Sequence, residues 1–207
     1  MPTRRTFLQT VALGAAVGTA GCSTGDGPLL ADGFEDGIDP WTTAASVGAD
    51  AGDGFRWAVA RTDERAHEGS WSVRVETGAR GRTDDGTAWL VRPLDVPADA
   101  TRLSVAVMAW SPDESFDVLR HLVVALRPDP PESEAGFPDP GVNSDQIDGA
   151  PYGGLREPLG LDPGWREYAT SWAPDSLPDR AYLAVGVSVV RAADATHYLD
   201  EVLVTAR

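Results

Sequence analysis

Short apolar runs rich in Val, Leu and Trp alternate along the chain with clusters of Gly, Pro and Asp. No run keeps a 3.6-residue apolar period beyond one turn, so the pattern does not predict amphipathic helices. Alternation of apolar and polar positions between turn-forming residues is typical of β-strands. The pattern predicts eight strands, over residues 55–60, 70–76, 87–96, 102–110, 119–127, 165–172, 181–190 and 197–204.

Side chains alternate between the two faces of a strand, so the sequence also predicts which face is buried. One face of strand 102–110 carries Leu and Val and is predicted to be core. The opposite face, which ends at Trp110, is only half apolar, and we expect it to line a groove or lie under a loop. In strand 181–190 the core residues alternate with small residues that leave room for something laid across them: Ala184, Gly186 and Ser188.

Eight or more strands within one chain of 207 residues predict an all-β fold, a two-sheet antiparallel β-sandwich or jelly roll. A chain of this length can bury an adequate core. Residues 128–164 interrupt the pattern with many Pro, Gly and Asp residues, and we predict one long loop there. Loops of this length are usually functional or disordered. A solvated insertion without a function is the alternative.

The chain carries 32 acidic and 17 basic residues, and every basic residue is Arg. The net charge of -15 excludes nucleic acid as an expected partner, because a polyanion would be repelled. Lysine-free, Asp-rich composition is similar to that of extremely halophilic archaea, in which surface carboxylates keep proteins soluble in concentrated salt. The single cysteine rules out a disulfide scaffold or a thiolate zinc site.

The N-terminus resembles an export signal. Arg4 and Arg5, followed by Thr, Phe and Leu, resemble the twin-arginine signature. The weakly apolar residues 10–20 are too few to span a bilayer and are typical of a signal peptide. Residues 19–22 are similar to a lipobox, in which Cys22 becomes the lipidated N-terminus. The alternative is an ordinary cleaved signal with an incidental cysteine.

These features divide the chain into three parts. Residues 1–21 are predicted to be a twin-arginine signal peptide with a lipobox, and residues 22–31 a lipidated cysteine with a flexible tether. Residues 32–207 form the predicted β-jelly-roll domain. We therefore expect an exported protein, anchored by lipid to the outer face of the cytoplasmic membrane.

Four short motifs follow one another along the predicted domain. They are Asp-Gly-Phe-Glu-Asp-Gly at 32–37 with Trp41 after it, His-Glu-Gly-Ser-Trp at 67–71, Gly-Trp-Arg-Glu-Tyr at 164–168 and Tyr-Leu-Asp-Glu-Val at 198–202. In this order they resemble carbohydrate-binding modules of the galactose-binding-like β-jelly-roll type. The resemblance spans nearly the whole domain and implies a carbohydrate or surface glycan as the partner. Fold alone does not settle function, since the family also includes modules that bind no sugar.

The resemblance also implies a structural calcium ion that links the first and last strands. Its ligands would be the carboxylates of Glu35 and Asp200, with backbone carbonyls near Gly69. A hard cation with oxygen ligands would neutralise carboxylates that otherwise repel each other. The alternative is that concentrated salt takes the place of a specific ion, because an acid-rich chain supplies carboxylate pairs everywhere.

The chain has seven tryptophans, and a flat indole face is a good platform for a sugar ring. Trp41, Trp71 and Trp165 belong to the motifs above and are predicted to be packing residues. The remaining candidates for ligand contact combine aromatic faces with a hydrogen-bond donor. They are Trp57, Trp89, Arg92, Trp110 and Tyr152.

No catalytic motif was found in the sequence. It contains no nucleophile elbow, no zinc-protease motif and no phosphate-binding Gly-rich loop, and His67, His121 and His197 lie in different segments. We therefore expect a non-catalytic carbohydrate-binding module. The alternatives are a structural or adhesive cell-surface protein that contacts envelope proteins, and a small hydrolase or lyase.

Overall fold

The computed structural model describes residues 27–48, 55–78, 85–112, 119–146, 149–160, 163–190 and 194–207. These residues form eleven strands and two short 3-10 turns, Glu134–Gly136 and Ser144–Gln146. None of their helices is long and apolar enough to cross a bilayer. The strands are β1 Leu30–Asp32, β2 Thr42–Val47, β3 Arg56–Thr62, β4 Ser72–Gly78, β5 Gly86–Asp95, β6 Leu103–Ser111, β7 Leu119–Arg127, β8 Gly153–Pro158, β9 Gly164–Trp172, β10 Arg180–Val190 and β11 Ala195–Ala206.

The strands form two antiparallel sheets. The first sheet has the order β3-β4-β11-β6-β9, and β1 pairs with β11 beside it; the second has the order β2-β5-β10-β7-β8. β4 pairs with residues 195–199 of β11, and β1 with residues 202–204. Asp200 lies between these two stretches, at a register shift in β11, and Glu201 has a positive φ of 46°. The predicted two-sheet antiparallel β-sandwich is confirmed.

The main core fills the space between the sheets. The predicted inner face of β6 is confirmed, since Leu103, Val105 and Val107 are all buried. Leu183, Val185, Val187 and Val189 of β10 face them from the second sheet and are inaccessible to solvent. Burial of this Leu- and Val-rich layer is the main favourable contribution to folding.

All eight predicted strands are confirmed, and three strands were missed. β8 lies inside the predicted loop 128–164, so the prediction of one continuous loop is wrong. β8 was not predicted because the Gly and Pro residues around it are typical of loops. Gly153 is required there, because a Cβ atom at this position would lie 2.2 Å from the Cβ of Trp172. β1 begins at the buried Leu30, so the last two residues of the predicted tether belong to the first sheet.

Residues 128–142, here called the covering segment, lie across the outer face of the second sheet. Phe137 and Trp89 belong to a second apolar cluster, separate from the main core, which also contains Val123, Ala125 and Ala184. Gly186 pairs with Trp89, and a Cβ on Gly186 would lie 2.5 Å from the Cβ of Trp89. The small residues of β10 therefore make room for this indole and for the covering segment.

Candidate functional site

The five residues predicted to contact a ligand lie in separate places. Trp89 is 1% exposed under the covering segment, and Tyr152 is half-buried immediately before β8. Trp57 is 40% exposed on β3 and lines a cavity of about 410 Å³. Trp110 lies on the outer face of the first sheet. The structure does not bring these side chains together into one site.

Arg92 makes contacts within the protein and was wrongly expected to contact a ligand. Its Nη1 atom donates to Oδ2 of Asp32 over 3.1 Å, and its guanidinium lies 5.3 Å from the ring centroid of Trp41. Trp41 is 6% exposed, so its predicted packing role is confirmed. These contacts attach the turn after β1 to the second sheet.

Three aromatic residues lie side by side on the outer face of the first sheet. Trp165 of β9 pairs with Trp110 of β6, which pairs with Tyr198 of β11. The rings of Trp110 and Tyr198 meet edge to face, with 5.4 Å between centroids. Trp110 and Trp165 are half-buried. We call Trp165, Trp110 and Tyr198 the aromatic row.

The loop between β3 and β4 brings polar groups to the aromatic row. The guanidinium of Arg65 lies 3.9 Å from the ring centroid of Trp110. The imidazole of His67 meets Trp165 edge on, with 5.5 Å between ring centroids. A guanidinium over an indole is held by the ring quadrupole and keeps its outer N–H groups free for other acceptors. The row therefore combines apolar faces with hydrogen-bond donors.

Glu64 holds the other end of the row in place. Tyr198 donates its hydroxyl to Oε2 of Glu64 over 3.0 Å, and Arg74 donates to Oε1 over 2.6 Å. The hydrogen bond from Tyr198, and then that from Arg74, lowers the pKa of Glu64. Burial, followed by the bond to Glu64, raises the pKa of Tyr198. Tyr198 is thus kept as a neutral hydroxyl.

A cavity of about 630 Å³ opens beside the aromatic row. Ala106, Met108 and Leu203 give it an apolar floor, and His67 both lines the cavity and contacts Trp165 of the row. Ligand sites commonly have about this volume, with an apolar lining and a few polar groups. Carboxylates surround the floor, from Glu35, Glu68, Glu167, Asp200 and Glu201.

The predicted metal ligands lie together at this cavity. Asp200 is buried and accepts backbone N–H bonds from His67 over 2.7 Å and from Glu201 over 2.7 Å. Burial raises the pKa of Asp200, and these backbone bonds oppose the rise. Glu35 accepts backbone N–H bonds from Ser70 and Trp71, which lower its pKa.

Part of the oxygen set around Glu35 is already bonded to N–H donors. Calcium takes about six to eight oxygen ligands. Arg61 occupies two of the available carbonyls, with Nε on Phe34 O at 2.6 Å and Nη2 on Glu35 O at 2.5 Å. Among the described residues, no group of three or more His, Cys, Asp or Glu side chains is arranged to hold a metal. The groups that converge on the carboxylates of Glu35 and Asp200 are backbone N–H donors.

The histidines do not form a catalytic arrangement within the described residues. His197 is inaccessible to solvent, and burial with the nearby charge of Arg120 lowers its pKa to about 4. His121 is buried on β7 in the second sheet, and its pKa is also lowered, mainly by burial. His67 is the histidine that reaches the cavity.

The sequence reasoning missed Trp165, which was predicted to be a packing residue. Trp165 is half-buried in the aromatic row against His67, and Trp71 is half-buried under Arg61, so both pack against neighbours while remaining partly exposed. The alternation of side chains along β9 could have shown that Trp165 lies on the outer face of the sheet. Tyr168 and Trp172 are buried on one face of β9, and Trp165 lies an odd number of residues away, on the other face. No local pattern indicated Arg65 or His67.

No family model matches the chain, and no curated protein matches it. Solved structures do match. One is the carbohydrate-binding module TmCBM61 in complex with β-1,4-galactotriose, with a TM-score of 0.50, 15% identity, and coverage of 85% of this chain and 95% of that chain. A structure of promiscuous carbohydrate-binding modules of the β-sandwich superfamily has a TM-score of 0.52 and 16% identity, with 83% and 59% coverage.

A third match is the enzymatically active domain of tailspike protein 4 from bacteriophage CBA120. Its TM-score is 0.52 at 10% identity, and the match covers 85% of this chain but 20% of that chain. At these identities the likeness shows the fold, which is the jelly-roll β-sandwich found in carbohydrate-binding modules.

Proposed function

We propose that the protein is a non-catalytic carbohydrate-binding module, exported and anchored to the outer face of the membrane by lipid on Cys22. The observation that carries the binding role is the aromatic row, in which the half-buried Trp165 and Trp110 lie beside a cavity of about 630 Å³. The likeness in fold to carbohydrate-binding modules supports it.

The groups on this surface suit a sugar ring. The C–H face of a pyranose packs on an indole or on the apolar floor of the cavity, and its hydroxyls bond to the polar groups around it. Arg65 supplies donors, and the carboxylates of Glu68 and Glu167 supply acceptors. His67 and Glu201 are paired with each other at the edge of the same cavity. A rim of carboxylates repels an anionic ligand. The proposed glycan is therefore neutral or carries amino groups.

The described residues favour binding over hydrolysis. A glycosidase needs two carboxyl groups that face each other across the sugar, one of them a proton donor. Asp200 has the raised pKa of such a donor, but its oxygens accept N–H bonds from the backbone of His67, Glu68 and Glu201. Its carboxyl group therefore serves to hold the β3–β4 loop.

The location is proposed from residues outside the described part of the chain. Arg4 and Arg5 would direct export in the folded state, and Cys22 would carry the lipid. The polar, small residues after Cys22 would then separate the domain from the membrane. The acid-rich composition suits concentrated salt.

Affinity electrophoresis in molar salt, over gels that contain neutral, amino or acidic polysaccharides, tests the proposal. We expect retardation by a neutral or amino glycan and none by an acidic one. Trp165→Ala and Trp110→Ala should each weaken binding at least about tenfold, because an aromatic residue at the centre of a site commonly contributes more than ~1.4 kcal/mol.

Trp57→Ala is the matched comparison, since it removes an exposed indole from a separate cavity. If only Trp57→Ala weakens binding, the site lies at the edge strand β3 and the assignment to the aromatic row is wrong. If no glycan retards the protein, the carbohydrate role is contradicted, and an adhesive role toward envelope proteins takes its place.

A further inference from the structure

Arg65 is an exposed arginine whose contacts are with aromatic rings. Its guanidinium carbon lies 3.9 Å from the ring centroid of Trp110 and 5.6 Å from that of Tyr198. Its side chain makes no hydrogen bond or ion pair with another described residue, although the chain has 32 acidic residues and 17 basic ones. Arg74, by comparison, pairs with Glu64 over 2.6 Å. The N–H groups of Arg65 are therefore available to an acceptor from outside the chain.

The backbone holds Arg65 in a defined place. Its carbonyl accepts the hydroxyl of Ser72, at the start of β4. Shortly after Arg65, the N–H groups of His67 and Glu68 donate to Oδ2 of the buried Asp200. The loop is thus attached to both β4 and β11. Because these bonds order the loop when the protein folds, a ligand that binds Arg65 does not have to order it.

The carboxylate next to Arg65 in the chain is bonded to other groups. Oε2 of Glu64 accepts the hydroxyl of Tyr198 over 3.0 Å, and Oε1 accepts Nη1 of Arg74 over 2.6 Å. The hydrogen bond from Tyr198, and then that from Arg74, lowers the pKa of Glu64 and keeps it ionised. Glu64 therefore holds Tyr198 and Arg74, while the guanidinium of Arg65 packs on the ring of Trp110.

A guanidinium packed on an indole presents a different surface from the indole itself. The indole accepts the C–H face of a sugar ring, whereas the guanidinium carries five N–H donors and no acceptor. Neighbouring N–H groups of this planar fork match two acceptor oxygens that lie side by side. Two hydroxyl groups on adjacent carbons of a pyranose provide such oxygens. Arg65 therefore suits a pair of adjacent hydroxyls better than a C–H face.

We propose that Arg65 determines the specificity of the site: its guanidinium, supported by Trp110, binds two adjacent hydroxyl oxygens of one sugar unit. This inference rests on the proposed function and goes further, because it names the group that the glycan has to carry. A carboxylate would also fit the fork, but Glu68 and Glu167 at the neighbouring cavity repel it. The ligand is therefore a neutral glycan whose units keep two free hydroxyls on adjacent carbons.

Affinity electrophoresis in molar salt, with two kinds of neutral polysaccharide, tests this specificity. Starch, dextran and 1,4-linked galactan have free hydroxyls on adjacent carbons, whereas the interior units of a soluble 1,3-linked glucan have no such pair. We expect at least one polysaccharide of the first kind to bind the wild type at least about tenfold more tightly than the 1,3-linked glucan does. Equal or tighter binding of the 1,3-linked glucan overturns the inference.

Arg65→Met removes the donors and keeps an unbranched side chain that can pack on Trp110. Its affinity for the glycan that binds the wild type should fall at least about tenfold, since hydrogen bonds from a charged group are lost. Its melting temperature should stay within about 2 °C of the wild type, because the side chain makes no polar bond within the described residues. Arg65→Lys should bind as weakly as Arg65→Met, because an ammonium has no planar fork.

Trp110→Ala, made in the wild type and in Arg65→Met, tests the support that the indole gives. It should weaken binding by a smaller factor in Arg65→Met, because in the wild type the loss of Trp110 also releases the guanidinium. Equal factors in the two proteins would show that the two side chains act independently, which contradicts the proposed support.

Arg180→Met is the matched control, because it removes an exposed guanidinium from the second sheet, where Arg180 pairs with Asp95 over 3.9 Å. It should bind like the wild type. If Arg65→Met also binds like the wild type, this inference is wrong and the proposed function stands. Tighter binding by Arg65→Met would show that the guanidinium covers the indole and excludes the ligand, which overturns the inference as well. If no glycan retards the wild type, the proposed function and this inference are both contradicted.

Discussion

The ring of Phe137 meets the indole of Trp89 edge to face, with 5.3 Å between centroids and an interplanar angle of 70°. Phe137 comes from the covering segment, and Trp89 lies on the outer face of the second sheet. Beside them, Arg156 bonds to Glu134 and Ser188, and Arg127 donates to the carbonyl of Gly136 over 2.9 Å. This face of the sandwich is therefore closed by the chain itself, and the open aromatic row lies on the other sheet.

Phe137→Ala should destabilise the protein by about 3 to 5 kcal/mol, the usual cost of removing a buried phenyl group. It should also make tryptophan fluorescence more sensitive to acrylamide, because Trp89 is 1% exposed only while Phe137 covers it. Urea unfolding and quenching measure the two effects. Phe137→Leu, which keeps most of the volume, should cost less than about 1.5 kcal/mol. If Phe137→Ala is as stable as the wild type, the covering segment does not pack as described.

His197 should make the stability depend on pH. Burial and the charge of Arg120 lower its folded-state pKa from 6.5 to about 4. As the pH falls from 6.5 toward 4, the unfolded chain binds a proton that the folded chain does not, so stability falls through this window and levels off below it. The full loss is on the order of 3 kcal/mol.

Urea unfolding between pH 4 and pH 7 measures this dependence. His121 also has a lowered pKa and titrates in the same direction, so the test is the difference between the wild type and His197→Asn. The variant should lose most of the slope. Equal slopes for the two proteins would show that His197 is not the group responsible.

Low salt should lower the melting temperature. The net charge of -15 is screened over a few ångströms in molar salt but acts over about 30 Å at 10 mM, so the folded state then experiences strong self-repulsion. Calorimetry over a series of sodium chloride concentrations checks this. Potassium chloride should give the same curve at equal ionic strength, because screening depends on ionic strength. A melting temperature that does not change with salt would refute the expectation.

Cys22→Ser should release the protein from the membrane fraction, because it removes the thiol that the proposed lipid needs. Fractionation of cells followed by immunoblotting checks this, with Ser23→Ala as the control that leaves the thiol in place. Persistence of Cys22→Ser in the membrane fraction would contradict the anchor.

Local patterns predicted the strands that have strong alternation and missed those that do not. β7, Leu119–Arg127, has the bounds that its apolar run predicts, because the run ends at turn-forming residues. β2 reads Thr-Thr-Ala-Ala-Ser-Val, which is too small and polar to indicate a strand by itself. It is a strand because β5 supplies its hydrogen-bond partners. β8 is a strand because β7 does the same.

The sequence by itself determined the fold class and the core-facing positions of β6 and β10, since both follow from spacing along one strand. The resemblance carried by the motifs also implied that Glu35, Gly69 and Asp200 meet at one junction, and all three line the same cavity. Only the tertiary structure decided that Arg61 occupies the carbonyls there, that Phe137 covers Trp89, and that Trp165 lies beside Trp110. Each of these contacts joins residues from different strands or loops. The distance between such residues is set by strand pairing and by packing across the sandwich, which no local spacing encodes.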